Sequence, residues 1–307
     1  MNEISGPYEF GDQPPVGLYG WMDRIWKHER DQHAACLTRF RLYGATADKP
    51  PATKIWEWAK RVNGGQHLPV GKQETGDCVS WGVKQAGQYL QCYEIAKKGQ
   101  EEDYHEWFAP FIYGVSRVQV GRDGGGGAGS TGVWGARAVK DYGVLFADDA
   151  GVPTYSGRVA DAWGRRPGPP PEFLELAKDN PIKAIAPLTS VSQIREALIN
   201  RKMVTIASMR GFQMQPVSYR GYHVFKPQGR WPHQMCGIEW MDDPFPAMYR
   251  LNSWGPGAHG TPLNGEPPGG AWNRAEDIEV EMRSGDVEAY ALSSFDGWPG
   301  EPDYGVL

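Results

Sequence analysis

Three residues far apart in the chain bear side chains suited to covalent chemistry: Cys78, His233 and Asn252. Cys78 follows Asp77 at the start of a segment patterned as a helix, where unpaired N–H groups and the positive end of the helix dipole favour a thiolate. The thiolate is the nucleophilic form of cysteine, suited to attack on a carbonyl carbon. Asp77 opposes it by charge unless the carboxylate is engaged as the helix cap. His233 stands in WPHQMCGIEW, just before an apolar strand-like run that would hold its ring rigidly, and Asn252 opens Asn252-Ser253-Trp254-Gly255 at another strand exit. Taken singly, these read as a half-buried helix cysteine, a structural histidine and an ordinary strand-to-turn exit. Taken together, they supply a nucleophile, a proton partner and a group to orient it.

Such side chains need elements to position them. From Cys78 to about Lys97, Val79, Val83, Ala86, Leu90 and Tyr93 recur at steps of four and three and share one helical face. Asp77 is the expected N-cap and Gly99 the expected stop. Further helices fit residues 22–41, 104–119 and 132–142, and the stretch PLTSVSQIREALINRK with Ser190 or Ser192 as cap. Strands fit 203–209, 222–226, 235–241, 248–252 and 287–293. The pattern is α+β, with a helical half to about residue 165, an antiparallel sheet half from about 181, and a cleft where they meet. The prolines of KPPATK separate residues 1–55, an accessory or pro-segment, from one domain over 56–307. The run RDGGGGAGST, with Gly125, Gly126 and Gly127, is either a surface loop or a strip along which an extended peptide pairs backbone to backbone.

In four patches the chain resembles the papain-like cysteine peptidases, the family of papain and the cathepsins, over roughly residues 60 to 295. Gln73 with Gly76-Asp77-Cys78 is similar to the family's glutamine and nucleophile motif, and GGGGAGSTG to its glycine-rich substrate strip. WPHQMCGIEWMDD is similar to the histidine strand, and Asn252-Ser253-Trp254-Gly255 reproduces N-S-W-G, the most specific patch. The resemblance implies a papain-like fold with Cys78 as nucleophile, His233 as its proton partner and Asn252 holding the ring. It also implies Gln73 as an oxyanion donor with the Cys78 N–H, Trp254 covering the Asn–His bond, and Gly125, Gly126 and Gly127 along the substrate. The local pattern departs from C-G-[SA]-C-[WY]: here it is Thr75-Gly76-Asp77-Cys78-Val79. His233 and Asn252 follow Cys78 by 155 and 174 residues, against about 130–150 in the family, which implies inserted loops. Gln73 lies one residue nearer the cysteine than the family's glutamine.

Composition narrows the alternatives. A net charge of −5 argues against a broad nucleic-acid footprint, and no run of 18 apolar residues exists to span a membrane. Thirteen Trp, 14 Tyr and 10 Phe argue against disorder. The start, MNEISGPYEFGDQPP, lacks the basic and apolar regions of a secretory signal, so a cytoplasmic chain or one carried in an assembly is expected. Cys36, Cys78, Cys92 and Cys236 are too few and scattered for a disulfide framework, and the seven histidines show no metal-ligand spacing. No metal or cofactor is implied. The expected activity is a thiol hydrolase cleaving peptide or isopeptide bonds of a peptide or protein substrate. The alternatives are a cell-wall peptide amidase, or a non-catalytic papain-fold component attached to a larger assembly through its N-terminal segment. A thiol sealed from solvent, or an Asn252 amide turned from the ring, would end the catalytic case and leave a relic scaffold.

Overall fold

Residues 78–92 form an unbroken buried run, so their helix demands partners on every side, and the fold provides them. The computed structural model describes residues 20–22, 27–35, 37, 49–99, 103–125 and 127–293. Helices come first: α1 (Lys27–Ala35), α2 (Ile55–Val62), α3 (Cys78–Lys98), α4 (Ala109–Gly114), α5 (Gly132–Asp141), α6 (Gly157–Trp163) and α7 (Pro171–Ala177). A π-helical turn, Val115–Val120, continues α4. Then follow β1 (Ile185–Pro187), α8 (Val191–Ile199), β2 (Met203–Phe212), β3 (Val217–Tyr219), β4 (Tyr222–Val224), β5 (Pro227–Met241), β6 (Ala247–Leu251), β7 (Gly270–Arg274), α9 (Ala275–Arg283) and β8 (Val287–Leu292). The sheet runs β1-β8-β2-β5-β6-β7-β4-β3, antiparallel at each pairing except β4 with β7. Among the described residues no helix is long and apolar enough to cross a membrane.

α3 lies between the helical half and the sheet, packed on β5 and β2 on one side and on α2, α4 and α5 on others. The expected single apolar face is therefore too narrow a reading, because Gln85, Gln88 and Gln91 are buried as well. Close packing is possible because Gly87 has no side chain: a Cβ there would fall 1.9 Å from the Trp107 ring. Gly99 ends the helix in the left-handed conformation at φ 68°, as expected. Asp77 departs from expectation, since its side chain makes no capping bond. Its Oδ2 instead accepts from Trp81 Nε1 and the Tyr155 hydroxyl, both at 3.1 Å.

The helix expected over 104–119 starts only at Ala109, because Pro110 favours the first helical turn and Trp107 is held extended against Phe146. Within the segment expected to be helical over 22–41, α1 covers Lys27–Ala35, while Met22 lies outside any helix and Cys36 lies outside the described residues. Ser190 caps α8 by accepting from the Gln193 N–H. Glu239 on β5, fully buried, pins the halves together by accepting from the Ile55 N–H at 2.7 Å and from Arg201 Nη1 at 2.8 Å. Arg201 also donates to the Thr53 carbonyl at 2.5 Å.

Candidate active site

Cys78 is the first residue of α3, and β5 closes against that first turn. Gln234 Nε2 donates to the Val79 carbonyl at 3.0 Å, and the Gln234 backbone hydrogen-bonds the Cys78 sulfur. The residue before Gln234 is His233, paired across the sheet with Ser208 of β2. α3 reaches the asparagine too: Gln85 Nε2 donates to the Asn252 carbonyl at 3.0 Å. One helix thus registers the Cys78, His233 and Asn252 segments against each other.

His233 Nε2 and Asn252 Oδ1 are 2.7 Å apart, and the Trp254 ring stacks on the imidazole at 4.5 Å between centroids and 28° between planes. The other ring nitrogen, His233 Nδ1, is buried without a hydrogen-bond partner. The Asn252 amide is turned toward the ring. Behind it stands a second buried histidine: Asn252 Nδ2 lies 2.9 Å from His259 Nε2, and His259 Nδ1 lies 2.8 Å from the Met214 carbonyl oxygen.

Gln73 is drawn to the same place by backbone pairing of residues 71–73 with 253–255: its N–H donates to the Ser253 carbonyl at 2.7 Å, and the Gly255 N–H donates to the Gly71 carbonyl at 3.1 Å. Its side chain accepts from the Ser253 hydroxyl at 2.5 Å and donates to the Thr75 carbonyl at 2.7 Å. Gly125 and Gly127 are exposed, with little or nothing near where a Cβ would stand, and Gly126 lies outside the described residues. The close backbone approach falls instead at Gly129 and Ser130. Arg117, buried in the π-helical turn, holds this strip from beneath by donating to the carbonyls of Gly125 at 3.2 Å and Gly129 at 2.8 Å.

What approaches the strip is the protein's own chain. The Ser130 N–H donates to the Gly20 carbonyl and the Met22 N–H donates to the Ser130 carbonyl, both at 2.6 Å, forming a parallel bridge between Trp21 and Ser130. A Cβ at Gly129 would meet Met22 at 2.8 Å, so a side chain there would obstruct this pairing. The Trp21 ring packs with Cys78, Val79 and Ala207, and its Nε1–H donates to Glu288 Oε1 at 2.8 Å. Glu288, on β8, is held in turn by the Val133 N–H at 2.8 Å and the Tyr290 hydroxyl at 3.0 Å. Gly20 also hydrogen-bonds the Cys78 sulfur through its backbone. The thiol is therefore fully buried, and residues 20–22 form part of the seal.

Burial sets the charge state. Desolvation pushes the Cys78 thiol up to about 12, with the Asp77 charge adding to the effect and backbone hydrogen bonds opposing it. Desolvation likewise pulls His233 down to about 4, against the opposing Asn252 hydrogen bond, and His259 down to about 4. The Asp77 carboxyl is pushed up to about 7 by burial, with the Tyr155 and Trp81 hydrogen bonds pulling the other way. The covered state at neutral pH thus holds a neutral thiol at Cys78 and a neutral imidazole at His233.

Four features at the site escape the sequence reading: His259, Arg117, Trp21 and Glu288. Only His259 carries a local signal, lying seven residues after Asn252 in the same turn-rich segment.

No protein-family model and no curated protein matches the chain. Solved structures do. Xylellain, a cysteine protease from Xylella fastidiosa, superposes with a TM-score of 0.60 at 13% identity, covering 91% of this chain and 96% of its own. A procathepsin B from Trypanosoma congolense gives 0.56 at 11% identity over 90% and 87% of the two chains. The Amb a 11 cysteine protease of ragweed pollen, in its proform, gives 0.55 at 13% identity over 90% and 74%. With α3 set against the antiparallel sheet, this chain has a papain-like α+β fold.

Proposed function

We propose that the protein is a cysteine hydrolase of peptide or isopeptide bonds, covered in the described state by its own Gly20–Met22 segment. The observation that carries this reading is the His233–Asn252 hydrogen bond under the Trp254 ring, with Nδ1 left unpartnered one residue from the backbone group that touches the Cys78 sulfur. Trp254 excludes water from that bond, so the ring is fixed and its unpaired nitrogen is the one available to accept a proton.

Once residues 20–22 withdraw, Cys78 regains solvent and its thiol pKa falls. His233 Nδ1 takes the thiol proton, and the sulfur attacks the substrate carbonyl. The Cys78 N–H at the start of α3 and the Gln73 side-chain amide donate to the oxyanion, each such donor typically worth about 3 kcal/mol. His233 then protonates the leaving amine, and water hydrolyses the thioester. An extended substrate takes over the backbone partners of Ser130 now used by Gly20 and Met22.

The test is covalent labelling with an electrophilic peptide mimic. Slow modification of Cys78 in the intact protein, faster modification in Trp21→Ala, and none in Cys78→Ala is the expected result. An opened Trp21→Ala protein that neither labels nor hydrolyses any peptide in a broad set sinks the enzymatic reading. The fully buried thiol supports a second reading, a non-catalytic papain-fold binding protein. That reading predicts a Cys78 pKa at or above the ordinary value of about 8.5 even in Trp21→Ala.

A further inference from the structure

We infer that His259 is a positioning residue for the candidate site: it fixes the Asn252 amide, and through it selects the tautomer of His233. The inference rests on the reading of Cys78 and His233 as a reacting pair, and it follows from donor and acceptor roles along one buried chain of groups.

The chain starts at a group with a single role. The Met214 carbonyl oxygen only accepts, so at 2.8 Å it requires the proton of His259 to be on Nδ1. The neutral ring then presents Nε2 as an acceptor, and the Asn252 side-chain atom 2.9 Å away must be its NH₂. The Asn252 oxygen is thereby turned to His233, 2.7 Å from Nε2. That nitrogen must donate, which leaves His233 Nδ1 with a lone pair and no partner. The polarity thus runs from a backbone carbonyl, through His259 and Asn252, to the nitrogen that accepts the thiol proton in the proposed reaction.

His259 suits this role by its setting. It is fully buried, and the Phe225 ring meets it edge-on at 4.8 Å and 89°, with Phe212 at 5.8 Å. Its ring has little room to turn, and both its nitrogens are occupied. The Ser253 N–H supplies a second clamp, donating to Asn252 Oδ1 at 2.7 Å. Ser253 holds the oxygen and His259 holds the nitrogen. Removing His259 leaves a buried NH₂ without an acceptor, which favours rotation of the amide and admits the opposite His233 tautomer.

The tautomers are read directly by ¹H–¹⁵N correlation of the histidine-labelled full-length protein at neutral pH. The expected spectrum shows His259 protonated on Nδ1 and His233 protonated on Nε2. His259→Leu is expected to give a His233 tautomer mixture, and His259→Gln, which can accept from Asn252 and donate to Met214, to restore the single Nε2–H form. In a Trp21→Ala background, His259→Leu is expected to lower kcat about tenfold or more with little change in KM, matching a fall of the active tautomer to roughly one molecule in ten. A wild-type His259 protonated on Nε2 overturns the inference, as does a His233 tautomer unchanged in a folded His259→Leu. If His259→Leu does not fold, the wild-type spectrum and His259→Gln decide between the outcomes. The spectra need no turnover, so a protein with the expected tautomers and an unreactive Cys78 would refute the hydrolase reading and leave this one standing.

Discussion

Asp77 sits one residue before the proposed nucleophile, and its carboxyl is pushed up to about 7 by burial from an ordinary value near 3.8. Between those values the folded protein keeps a proton that the unfolded chain has released. The group therefore favours the fold in acid, and that contribution is lost as pH rises through about 7. Asp77→Asn keeps an acceptor for Trp81 and Tyr155 and carries no charge. It is expected to be more stable than the parent at pH 8 by about 1–3 kcal/mol, with the gain vanishing by pH 4 in paired thermal melts. The sequence marks Asp77 as a cap and as a charge next to Cys78, not as a partner of Trp81 and Tyr155. Its real partners come from one turn further along α3 and from Tyr155, 78 positions away, and spacing cannot register an approach of that kind. Cys78, His233, Asn252 and Trp254 are legible for the opposite reason. Each lies in a short motif at a helix start, on a strand or at a strand exit, where local sequence and local structure coincide.

At the scale of elements, the glycine-rich run illustrates both what sequence patterning reveals and what it misses. The absence of side chains suggests an edge for backbone pairing, and such pairing exists. It is displaced to Gly129 and Ser130, because buried Arg117 bonds the carbonyls along the strip and fixes which part faces inward. The partner segment, Gly20–Met22, is anchored by one indole on one carboxylate. Glu288 accepts from Trp21, Val133 and Tyr290 with two oxygens, and an amide at that position has only one. Glu288→Gln is therefore expected to weaken the cover by about 1.5–3 kcal/mol and speed thiol labelling of Cys78 about 10–100-fold. Unchanged labelling kinetics would mean that Trp21 is held by its apolar contacts alone. α3 offers a separate check on packing. Gly87→Ala places a methyl group 1.9 Å from the Trp107 ring, and its expected cost is about 1–3 kcal/mol in denaturant unfolding.

For the whole molecule, the α+β division and the helix-then-sheet order are legible because segments with helical spacing give way after about residue 181 to short β-branched, apolar runs such as MVTIASM. The ties between halves are not. Glu239 reads as one charge in an apolar strand, yet it joins α2, Arg201 and β5 in a buried cluster. Glu239→Ala takes the carboxylate from the buried Arg201 guanidinium, which also bonds the Thr53 carbonyl, and is expected to cost about 3–5 kcal/mol of unfolding free energy. A much smaller loss in urea titration would mean that the halves are held by apolar packing alone. α9 and β7 also escape the sequence reading, since the interleaved charges of AEDIEVEMR and the five-residue GAWNR give only weak periodic signals.

The Gly20–Met22 segment over Cys78 belongs to the same polypeptide as the site it closes, and this has a kinetic consequence. Its occupancy depends on a local concentration fixed by the intervening chain, so diluting the protein leaves Cys78 equally protected. One cut between Leu37 and Lys49 would turn that internal contact into a bimolecular one. The severed piece would leave on dilution and return on concentration, so the product's thiol reactivity would depend on how much protein is in the tube.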